Sequence, residues 1–319
     1  MLVAVLVALC GGVGAARMLS GLVRVVPPAD ITAVVNVGDD MELHGLHISP
    51  DLDTVTYTLA GMDNPETGWG VSGETWTVME ELSRLGGEDW FRLGDRDLAT
   101  HLFRTGQLRA GEPLSAVTAE ITRRRGVAVR LLPVTDDPLR TRVTLAEPSA
   151  CGPPGIEVSF QDYFVRLRHQ VAVRAVRFEG APSARPGPGV LESLEEAVTV
   201  VVCPSNPVVS IGPVLAVDGV RRVLEARRAR VVAVSPIVAG AALKGPADRL
   251  MAELGTEATV VGVARLYAPW VGTLVVDEAD ARHAGDVEAE GLRCVVAPTV
   301  MSSPERAAAL ARVVIGARA

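Results

Sequence analysis

The sequence predicts an α/β fold with a doubly wound, mostly parallel sheet, and three observations support this prediction. Short apolar runs bounded by turn residues recur along the 319 residues, and amphipathic segments of helical period separate them. Strands that alternate with helices in this way are typical of parallel sheets. A glycine-rich turn, CGGVG at residues 10–14, directly follows the first apolar run. In such folds ligands bind beyond the carboxyl ends of the strands.

The elements follow in order along the chain. Apolar runs of strand length predict strands at residues 2–9, 31–35, 127–134, 142–145, 198–203, 231–235, 260–262, 273–277 and 293–297. Amphipathic segments predict helices at residues 15–26, 75–85, 99–105, 217–230, 247–254 and 304–315. The first helix is expected to end before Pro27 and Pro28, because proline cannot continue a helix.

The chain is expected to form one Rossmann-like domain over residues 1–319. Residues 134–189 interrupt the strand–helix alternation, and they include a segment rich in proline and glycine at 180–190. We interpret residues 134–189 as an inserted irregular lid or subdomain.

Composition excludes several classes of protein. A hydrophobic content of 48% with 22% charged residues indicates a packed globular chain. The net charge of −7 disfavours a nucleic-acid-binding face. The four cysteines are far apart, which argues against a zinc site and a disulfide framework and fits a reducing cytosol. Because no apolar run approaches the length of a membrane span, we expect a cytoplasmic protein without nucleic-acid or membrane partners.

Residues 36–61 concentrate negative charge directly after the second predicted strand, with four aspartates and one glutamate. Asp39 and Asp40 follow that strand, and Asp51 and Asp53 begin the next segment. Carboxylates at neighbouring strand ends are suitable ligands for Mg²⁺ that is shared with substrate phosphates. The stretch is therefore either a solvated acidic loop or a cation site.

A structural role is also open for part of this stretch. Ser49 before Pro50 predicts a helix N-cap, with Asp51 in the first turn, where a carboxylate favours the helix dipole. This role does not account for the other three aspartates. His44 and His47 are better explained as turn residues than as metal ligands.

The glycine turn leaves two interpretations equally open. Gly12 and Gly14 match the first two glycines of a dinucleotide-binding fingerprint, but Arg17 stands where the third glycine is expected. The turn can bind phosphate through backbone N–H groups, or it can simply join a strand to a helix.

Three further segments carry polar residues with weaker signals. Residues 90–106 combine arginines, aspartates and His101, and a salt-bridged, solvated helix start is the favoured interpretation. Ser205 and Asn206 end a predicted strand and could contact a nucleoside or satisfy their own turn. Residues 234–251 form another loop at a strand end and contain Lys244, the chain's one lysine.

Taken in order, these segments resemble the motifs of the 2-phospho-L-lactate transferase family, which makes the deazaflavin coenzyme F420. The motifs are GGVGAARML, NVGDD, ISPDLDTVTYTLAG, RLGDRDLATHL, CPSNPVVSIGPVL, VSPIVAGAALKGPADRLM and GVARLY. The resemblance extends from about residue 2 to the C-terminal helix. One departure is Val13, where the family often has threonine, so a hydroxyl contact at this position is absent.

The resemblance implies a Mg²⁺-dependent transfer and a homodimer. The donor would be lactyl-2-diphospho-5'-guanosine or enolpyruvoyl-2-diphospho-5'-guanosine. The acceptor would be the ribityl hydroxyl of 7,8-didemethyl-8-hydroxy-5-deazariboflavin, and GMP would leave. Positioning and charge neutralisation supply most of the catalysis in such phosphoryl transfers.

The resemblance also implies roles for individual residues. Catalysis would fall to Asp53, Asp51 and Asp40. The metal ligands would be Asp40, Asp51 and Asp39. The deazaflavin would be contacted by Asp53, Arg92, Trp69 and Arg96. The nucleotide would be contacted by Gly11, Gly12, Gly14, Arg17, Asn36, Ser205 and Asn206.

Two other functions are consistent with parts of the sequence. A non-catalytic nucleotide-sugar-binding regulator would share the glycine turn and the PSNP loop, but it would not need the carboxylates of residues 51–54 or the RLGDRD segment. A dinucleotide-dependent oxidoreductase is suggested by Gly12 and Gly14 alone. It would place an acidic residue near Asp39 to bind ribose, but the third glycine is missing.

Overall fold

The computed structural model of the protein describes residues 6–317, and within these residues seven parallel strands form one central sheet. The strands of the chain are β1 (Leu6–Cys10), β2 (Ile31–Val35), β3 (Met41–Leu43), β4 (Leu46–Ile48), β5 (Arg130–Pro133), β6 (Arg140–Leu145), β7 (Glu157–Ser159), β8 (Val173–Glu179), β9 (Thr199–Val202), β10 (Val231–Val234), β11 (Ile237–Val238), β12 (Ala241–Ala242), β13 (Thr273–Val276) and β14 (Arg293–Val296).

Helices cover both faces of this sheet, which explains why its inner strands are apolar along their whole length. They are α1 (Gly12–Leu22), α2 (Pro50–Leu59), α3 (Thr77–Arg84), α4 (Asp95–Arg109), α5 (Leu114–Arg124), α6 (Val190–Glu196), α7 (Gly212–Ala216), α8 (Val220–Ala226), α9 (Ala247–Glu253), α10 (Val260–Tyr267), α11 (Ala284–Ala289) and α12 (Pro304–Gly316). Every residue of β1, β9, β10 and β13 is buried.

The order of strands fixes where a ligand can bind. The sheet runs β14-β13-β10-β9-β1-β2-β5. From β1 the chain moves outward through β2 to β5, and it then returns to place β9 on the other side of β1. Loops that leave β1 and β9 therefore diverge, and this switch of direction creates a crevice at the carboxyl ends of these two strands.

Residues 134–189, predicted to be irregular, contain regular structure. β6 pairs antiparallel with both β7 and β8, and a small apolar cluster that includes Val143, Val158 and Tyr163 lies beneath this sheet. Phe160 and Gln161, which follow β7, line the main cavity of the molecule. The insertion thus supplies one wall of the site.

The long connection between β2 and β5 also forms a structural unit, which was not predicted as such. It consists of the β3–β4 hairpin and helices α2 to α5. His44 and Gly45 form the two-residue turn of this hairpin, with φ angles of 54° and 70°. Positive φ at both positions is the geometry of the common tight hairpin turn, so His44 occupies a turn position, as predicted.

The strand predicted at residues 260–262 is wrong, because these residues begin α10. The hydroxyl of Thr259 accepts a hydrogen bond from the N–H of Gly262 at 3.1 Å and caps the helix. The β-branched run after this cap resembles a strand only when it is read without the cap. Of the first predicted strand, residues 2–5 lie outside the described part of the chain, and β1 extends to Cys10.

Candidate active site

A cavity of about 540 Å³ opens at the carboxyl ends of β1 and β9, where the strand order predicts a crevice. Its walls come from the glycine turn, α2, the start of α4, the loop after β9 and the insertion. Among the lining residues are Gly11, Gly12, Gly14, Asp39, Asp51, Asp53, Tyr57, Trp69, Arg92, Asp97, His101, Gln161, Ser205, Asn206 and Lys244.

The glycines of the turn are required by close packing. A Cβ atom on Gly14 would lie 2.2 Å from the carbonyl oxygen of Pro204, and one on Gly11 would lie 2.6 Å from Cβ of Ser210. Gly12 has a φ of +70°, a conformation that favours glycine. The turn is thus pressed against the loop that follows β9.

The backbone N–H groups of the turn are partly engaged by side chains. Gly11 N–H donates to Oγ of Ser205 at 3.3 Å, and Gly12 N–H donates to Oδ1 of Asp51 at 2.8 Å. The N–H groups available to an anion are therefore those of Val13 and Gly14 in the first turn of α1, where a helix leaves its N–H groups without internal partners.

Asp51 does not cap its own helix. It lies in the first turn of α2 as predicted, but its carboxylate points across to α1 and accepts from Gly12 N–H and from Nδ2 of Asn36 at 2.9 Å. Burial raises the pKa of Asp51 to about 6, against the opposing hydrogen bonds from Asn36 and Gly12 and with a further rise from Asp40.

Asp39, Asp40 and Asp51, here called the acidic cluster, are all buried. Burial raises the pKa of Asp39, and the charges of Asp51 and Asp40 add to the rise. Among the described residues, Oδ1 of Asp39 and Oδ1 of Asp40 have no hydrogen-bond partner. Buried acceptors left unpaired in this way fit a bound cation.

The three aspartates of the cluster differ in position. Asp39 and Asp51 line the cavity, whereas Asp40 is not part of its lining. Oδ2 of Asp40 accepts from the Ser49 hydroxyl at 2.8 Å and lies 3.0 Å from Nε2 of His47. The Ser49 hydroxyl therefore holds Asp40 instead of capping α2, and His47 has a structural partner.

A second group of polar side chains, here called the α4 network, consists of Asp53, Tyr57, Asp97, His101 and Arg104. Both carboxylate oxygens of Asp53 accept from Arg104, and the bond from Nη1 is 3.0 Å long. Nη1 of Arg104 also lies 3.3 Å from Nδ1 of His101. Because a guanidinium only donates, Nδ1 accepts and the ring proton of a neutral His101 resides on Nε2.

The network ends on Asp97. Nε2 of His101 lies 3.2 Å from Oδ2 of Asp97, outside hydrogen-bond geometry, and the Tyr57 hydroxyl donates to Oδ1 at 2.5 Å. Burial acts to raise the pKa of Asp97, but the proximity of His101, Tyr57 and Arg104 outweighs it, and the pKa is lowered. Burial and the two aspartates raise the pKa of Tyr57 well above its ordinary value, so this hydroxyl stays a donor.

Asp53, Asp97 and His101 also form a group compatible with a divalent cation, since each offers a ligand atom within 4.8 Å of the others. Among the residues that the structure describes, the acidic cluster does not gather three ligand atoms to this spacing. Arg104 occupies both oxygens of Asp53, however, and its permanent charge opposes a second cation beside it.

The sequence-based interpretation of residues 90–106 as a solvated helix start is wrong for one face of α4. The side chains of His101 and Arg104 are only 1% and 2% exposed. The spacing of Asp97, His101 and Arg104, at i, i+4 and i+7, places them on one face. This spacing was the available signal, but it is equally typical of a salt-bridged surface.

The first turn of α4 is held by hydrogen bonds to a residue outside this helix. The Glu74 carboxylate accepts the N–H groups of Arg96 and Asp97, both at 2.8 Å. Asp95 in turn accepts the N–H groups of Thr77 and Val78 at the start of α3, both at 3.1 Å. The segment that precedes α3 therefore caps α4, and the first residue of α4 caps α3, which holds Asp97 at the cavity wall.

The residues predicted to contact a deazaflavin are only partly brought together. Trp69 is 51% exposed and lines the cavity together with Arg92, whose guanidinium lies 4.4 Å from the centre of the Trp76 ring. Arg96 is not part of the lining, and its Nη1 donates to the carbonyl oxygen of Ser72 at 2.6 Å. The geometry favours Arg92 over Arg96.

Of the residues predicted to contact a nucleotide, some line the cavity and others do not. Oδ1 of Asn206 accepts from the N–H groups of Val208 and Val209, at 2.9 and 3.3 Å, so this oxygen satisfies its own turn. The Ser205 hydroxyl is also engaged, because it donates to the carbonyl oxygen of Gly11 at 2.8 Å. Asn36 is fully buried behind Asp51 and is not part of the lining.

Nearly the whole chain is similar to known proteins. Residues 6–300 match the family described as 2-phospho-L-lactate transferase CofD. The chain is 47% identical over 311 residues to a phosphoenolpyruvate transferase of Streptomyces griseus, covering 96% of both chains. It is 46% identical over 310 residues to the phosphoenolpyruvate transferase of Kitasatospora aureofaciens, covering 96% of this chain and 95% of the other.

A solved structure supports the fold. A crystallised protein of Bacillus halodurans superposes with a TM-score of 0.61 at 16% identity, covering 97% of this chain and 98% of the other. Another structure of a Bacillus halodurans protein, described as a member of the UPF0052 family, gives a TM-score of 0.60. Within the described residues, no helix combines the length and the apolar content that crossing a membrane requires.

Proposed function

Because the chain belongs to the 2-phospho-L-lactate transferase family, we propose that it transfers a phospho-acid group in the biosynthesis of coenzyme F420. The donor is a guanosine diphosphate that carries a three-carbon acid, and the acceptor is the terminal ribityl hydroxyl of the deazaflavin. The oxygen of this hydroxyl attacks the phosphorus that bears the acid. The bond between this phosphorus and the oxygen that bridges the two phosphates breaks, the bridging oxygen leaves with GMP, and the hydroxyl loses its proton.

The observation that carries this proposal is the arrangement of one cavity. The glycine turn and the acidic cluster lie on one side of it, and Asp53 with the α4 network lies beside them on α2 and α4. A transfer between two large substrates needs a charged site for a diphosphate and an orienting group for a hydroxyl within reach of each other. Asp39 and Asp51, with a bound cation, and Asp53 would supply these two groups from the walls of one cavity.

The acidic cluster is the proposed holder of Mg²⁺. Asp39 and Asp51 would contact the cation from the cavity wall, and Asp40 would add its charge from behind them. Two carboxylates suffice, because Mg²⁺ usually completes its shell with waters and substrate phosphates. When bound, the ion would neutralise charge on the diphosphate.

Asp53 is proposed to orient the acceptor hydroxyl. Arg104 binds each of its oxygens once, and a carboxylate oxygen can accept a further hydrogen bond. A hydroxyl that donates to Asp53 would have its attacking lone pair fixed toward the donor. Arg92 and Trp69 would hold the deazaflavin ring at the rim.

The names of the relatives favour enolpyruvate as the three-carbon acid, because those proteins are called phosphoenolpyruvate transferases. The test is a direct assay. Purified protein, Mg²⁺ and deazaflavin are incubated with the enolpyruvyl or the lactyl guanosine nucleotide, and GMP and the deazaflavin product are quantified. We expect faster product formation with the enolpyruvyl nucleotide. No product from either donor would exclude the transferase and leave nucleotide binding alone.

We further propose that the enzyme acts in the cytoplasm as a homodimer. Light scattering on the purified chain, whose mass is 33.5 kDa, would give twice that mass. A monomer mass at working concentrations would exclude the dimer.

A further inference from the structure

Lys244, the chain's one lysine, faces the cavity from the loop after β12. Its Nζ donates to the carbonyl oxygen of Thr67 at 2.7 Å. An ammonium group has three donors, so this bond leaves two of them available. Thr67 and Trp69 belong to the loop at the opposite rim, and the Lys244 contact therefore bridges the mouth of the cavity.

Arg17, which is not part of the cavity lining, approaches the same point from α1. A Cβ atom placed on Gly68 would lie 3.2 Å from Nζ of Lys244 and 3.6 Å from Nη2 of Arg17. Among the described residues, the guanidinium of Arg17 has no hydrogen-bond or ion-pair partner, and only its backbone oxygen accepts, from Ser20. Two cations thus meet beside Gly68 without a carboxylate between them.

Like charges held close together disfavour each other unless an anion lies between them. Burial and the charge of Arg17 both lower the pKa of Lys244, in agreement with this proximity. Arg17 lies one turn beyond Gly14, at the end of the helix start whose N–H groups favour anions. Lys244 bonds to the loop that carries Trp69, so the pair lies where α1 and this loop approach each other.

We propose that Lys244 and Arg17 form a clamp for an anionic group of the donor substrate. The group is either the diphosphate or the carboxylate of the three-carbon acid, since both present oxygens that accept from an ammonium and a guanidinium. The clamp would fix the end of the donor that is transferred. Naming the donor rests on the proposed function, but the binding of an anion does not.

Binding measurements with three probes test the clamp. GDP carries a diphosphate without a carboxylate, GMP carries neither, and phosphoenolpyruvate carries a carboxylate without a diphosphate. Calorimetry is performed on the full chain, on Lys244→Met and Arg17→Met, and on Arg185→Met as the control. Arg185 is a cation with an 87% exposed side chain and is not part of the cavity lining.

If the clamp binds the diphosphate, we expect Lys244→Met and Arg17→Met to weaken the binding of GDP about tenfold or more and to leave the binding of GMP unchanged. If it binds the carboxylate, the loss falls on phosphoenolpyruvate and GDP is unchanged. The proposal would be overturned if each probe bound to Lys244→Met and Arg17→Met with the same affinity as to the wild type. Unfolding midpoints of the variants check that each protein is folded.

The single lysine permits a second measurement on the intact site. Reductive methylation with ¹³C-formaldehyde labels Lys244 and the N-terminal amine, and Lys244→Met identifies the lysine signal. We expect GDP or phosphoenolpyruvate to shift this signal, and Arg17→Met to raise its titration midpoint. A signal that no probe moves would contradict the clamp.

The two proposals can fail separately. If the wild type shows no transferase activity but binds anions, and Lys244→Met and Arg17→Met lose this binding, the clamp stands and the proposed reaction is excluded. Full transferase activity with an unchanged KM for the donor in Lys244→Met would keep the reaction and remove the clamp.

Discussion

The acidic cluster and the α4 network are built from the same kinds of residue, but their charge is handled in opposite ways. Within the described residues, no arginine or lysine forms an ion pair with the three buried aspartates of the cluster, although the ring of His47 lies 3.0 Å from Asp40. The pKa values of Asp39 and Asp51 are raised. In the network, Arg104 neutralises Asp53, and the pKa of Asp97 is lowered. The difference indicates that the cluster is suited to a cation from outside, whereas the network already contains a cation, the guanidinium of Arg104.

The largest effect is expected from removing the cation of the network. Arg104→Met would leave Asp53 buried without its partner, and the loss of one member of a buried pair destabilises a protein by about 3–5 kcal/mol. Urea unfolding measures this loss. Arg84→Met is the matched control, because the Arg84–Glu81 pair is 69% and 59% exposed and contributes at most about 1 kcal/mol.

Restoring charge balance should reverse part of that loss. The double variant Asp53→Asn/Arg104→Met no longer buries an unpaired charge, so it should be more stable than Arg104→Met alone. A double variant as unstable as or less stable than the single one would show that Arg104 acts through packing and not through Asp53.

A large effect on rate is expected from the cluster. Asp51→Asn keeps the shape of the side chain but removes charge next to the proposed diphosphate, so we expect kcat to fall about a hundredfold or more. The Kd of GDP, measured by calorimetry, should change much less. An unchanged kcat would limit the role of Asp51 to accepting hydrogen bonds from Gly12 and Asn36.

The raised pKa of Asp51 predicts a pH dependence for metal-free protein. An aspartate whose pKa rises from 3.8 to about 6 on folding contributes stability that is complete below pH 3.8 and is lost as the pH rises through about 6. Relative to Asp51→Asn, the stability of the wild type should fall by on the order of 2–3 kcal/mol between pH 4 and pH 7. Unfolding curves that run parallel over this range would contradict the assignment.

The smallest effect on stability and rate is expected at Ser49, which contacts the acidic cluster from outside. Ser49→Ala removes the hydroxyl that donates to Asp40 at 2.8 Å, and the loss of one such hydrogen bond costs about 1–3 kcal/mol. Because Asp40 does not line the cavity, kcat should fall less than in Asp51→Asn. A larger loss of kcat than in Asp51→Asn would move Asp40 into direct contact with the substrate or metal.

Much of the fold could be predicted because strands buried on both faces are apolar runs that no surface element imitates. The exception, residues 260–262, shows the limit, since a β-branched run of this length is ambiguous until the cap at Thr259 is recognised. In the antiparallel sheet, β6 was predicted in part, at residues 142–145, but β7 and β8 were missed. β7 has only three residues, and β8 has charged residues at three of its seven positions and therefore no continuous apolar run.

The proximity of Asp39, Asp40 and Asp51 was predictable from the position of their segments at the edge of the sheet. The burial of Asp97, His101 and Arg104 was not predictable, because the same spacing on a helix describes both a solvated face and a buried network. The partner that decides between them, Asp53, lies 51 residues from Arg104 in the chain, and only the fold brings the two together.

The most direct test of the contrast between the two regions is metal binding. Titration of Mn²⁺, observed by electron paramagnetic resonance and competed with Mg²⁺, is performed on wild type, Asp39→Asn, Asp51→Asn and Asp97→Asn in the presence of GDP. We expect both cluster variants to lose the bound ion and Asp97→Asn to retain it. Retention by Asp39→Asn and Asp51→Asn together with loss in Asp97→Asn would place the cation in the α4 network and contradict its assignment to the acidic cluster.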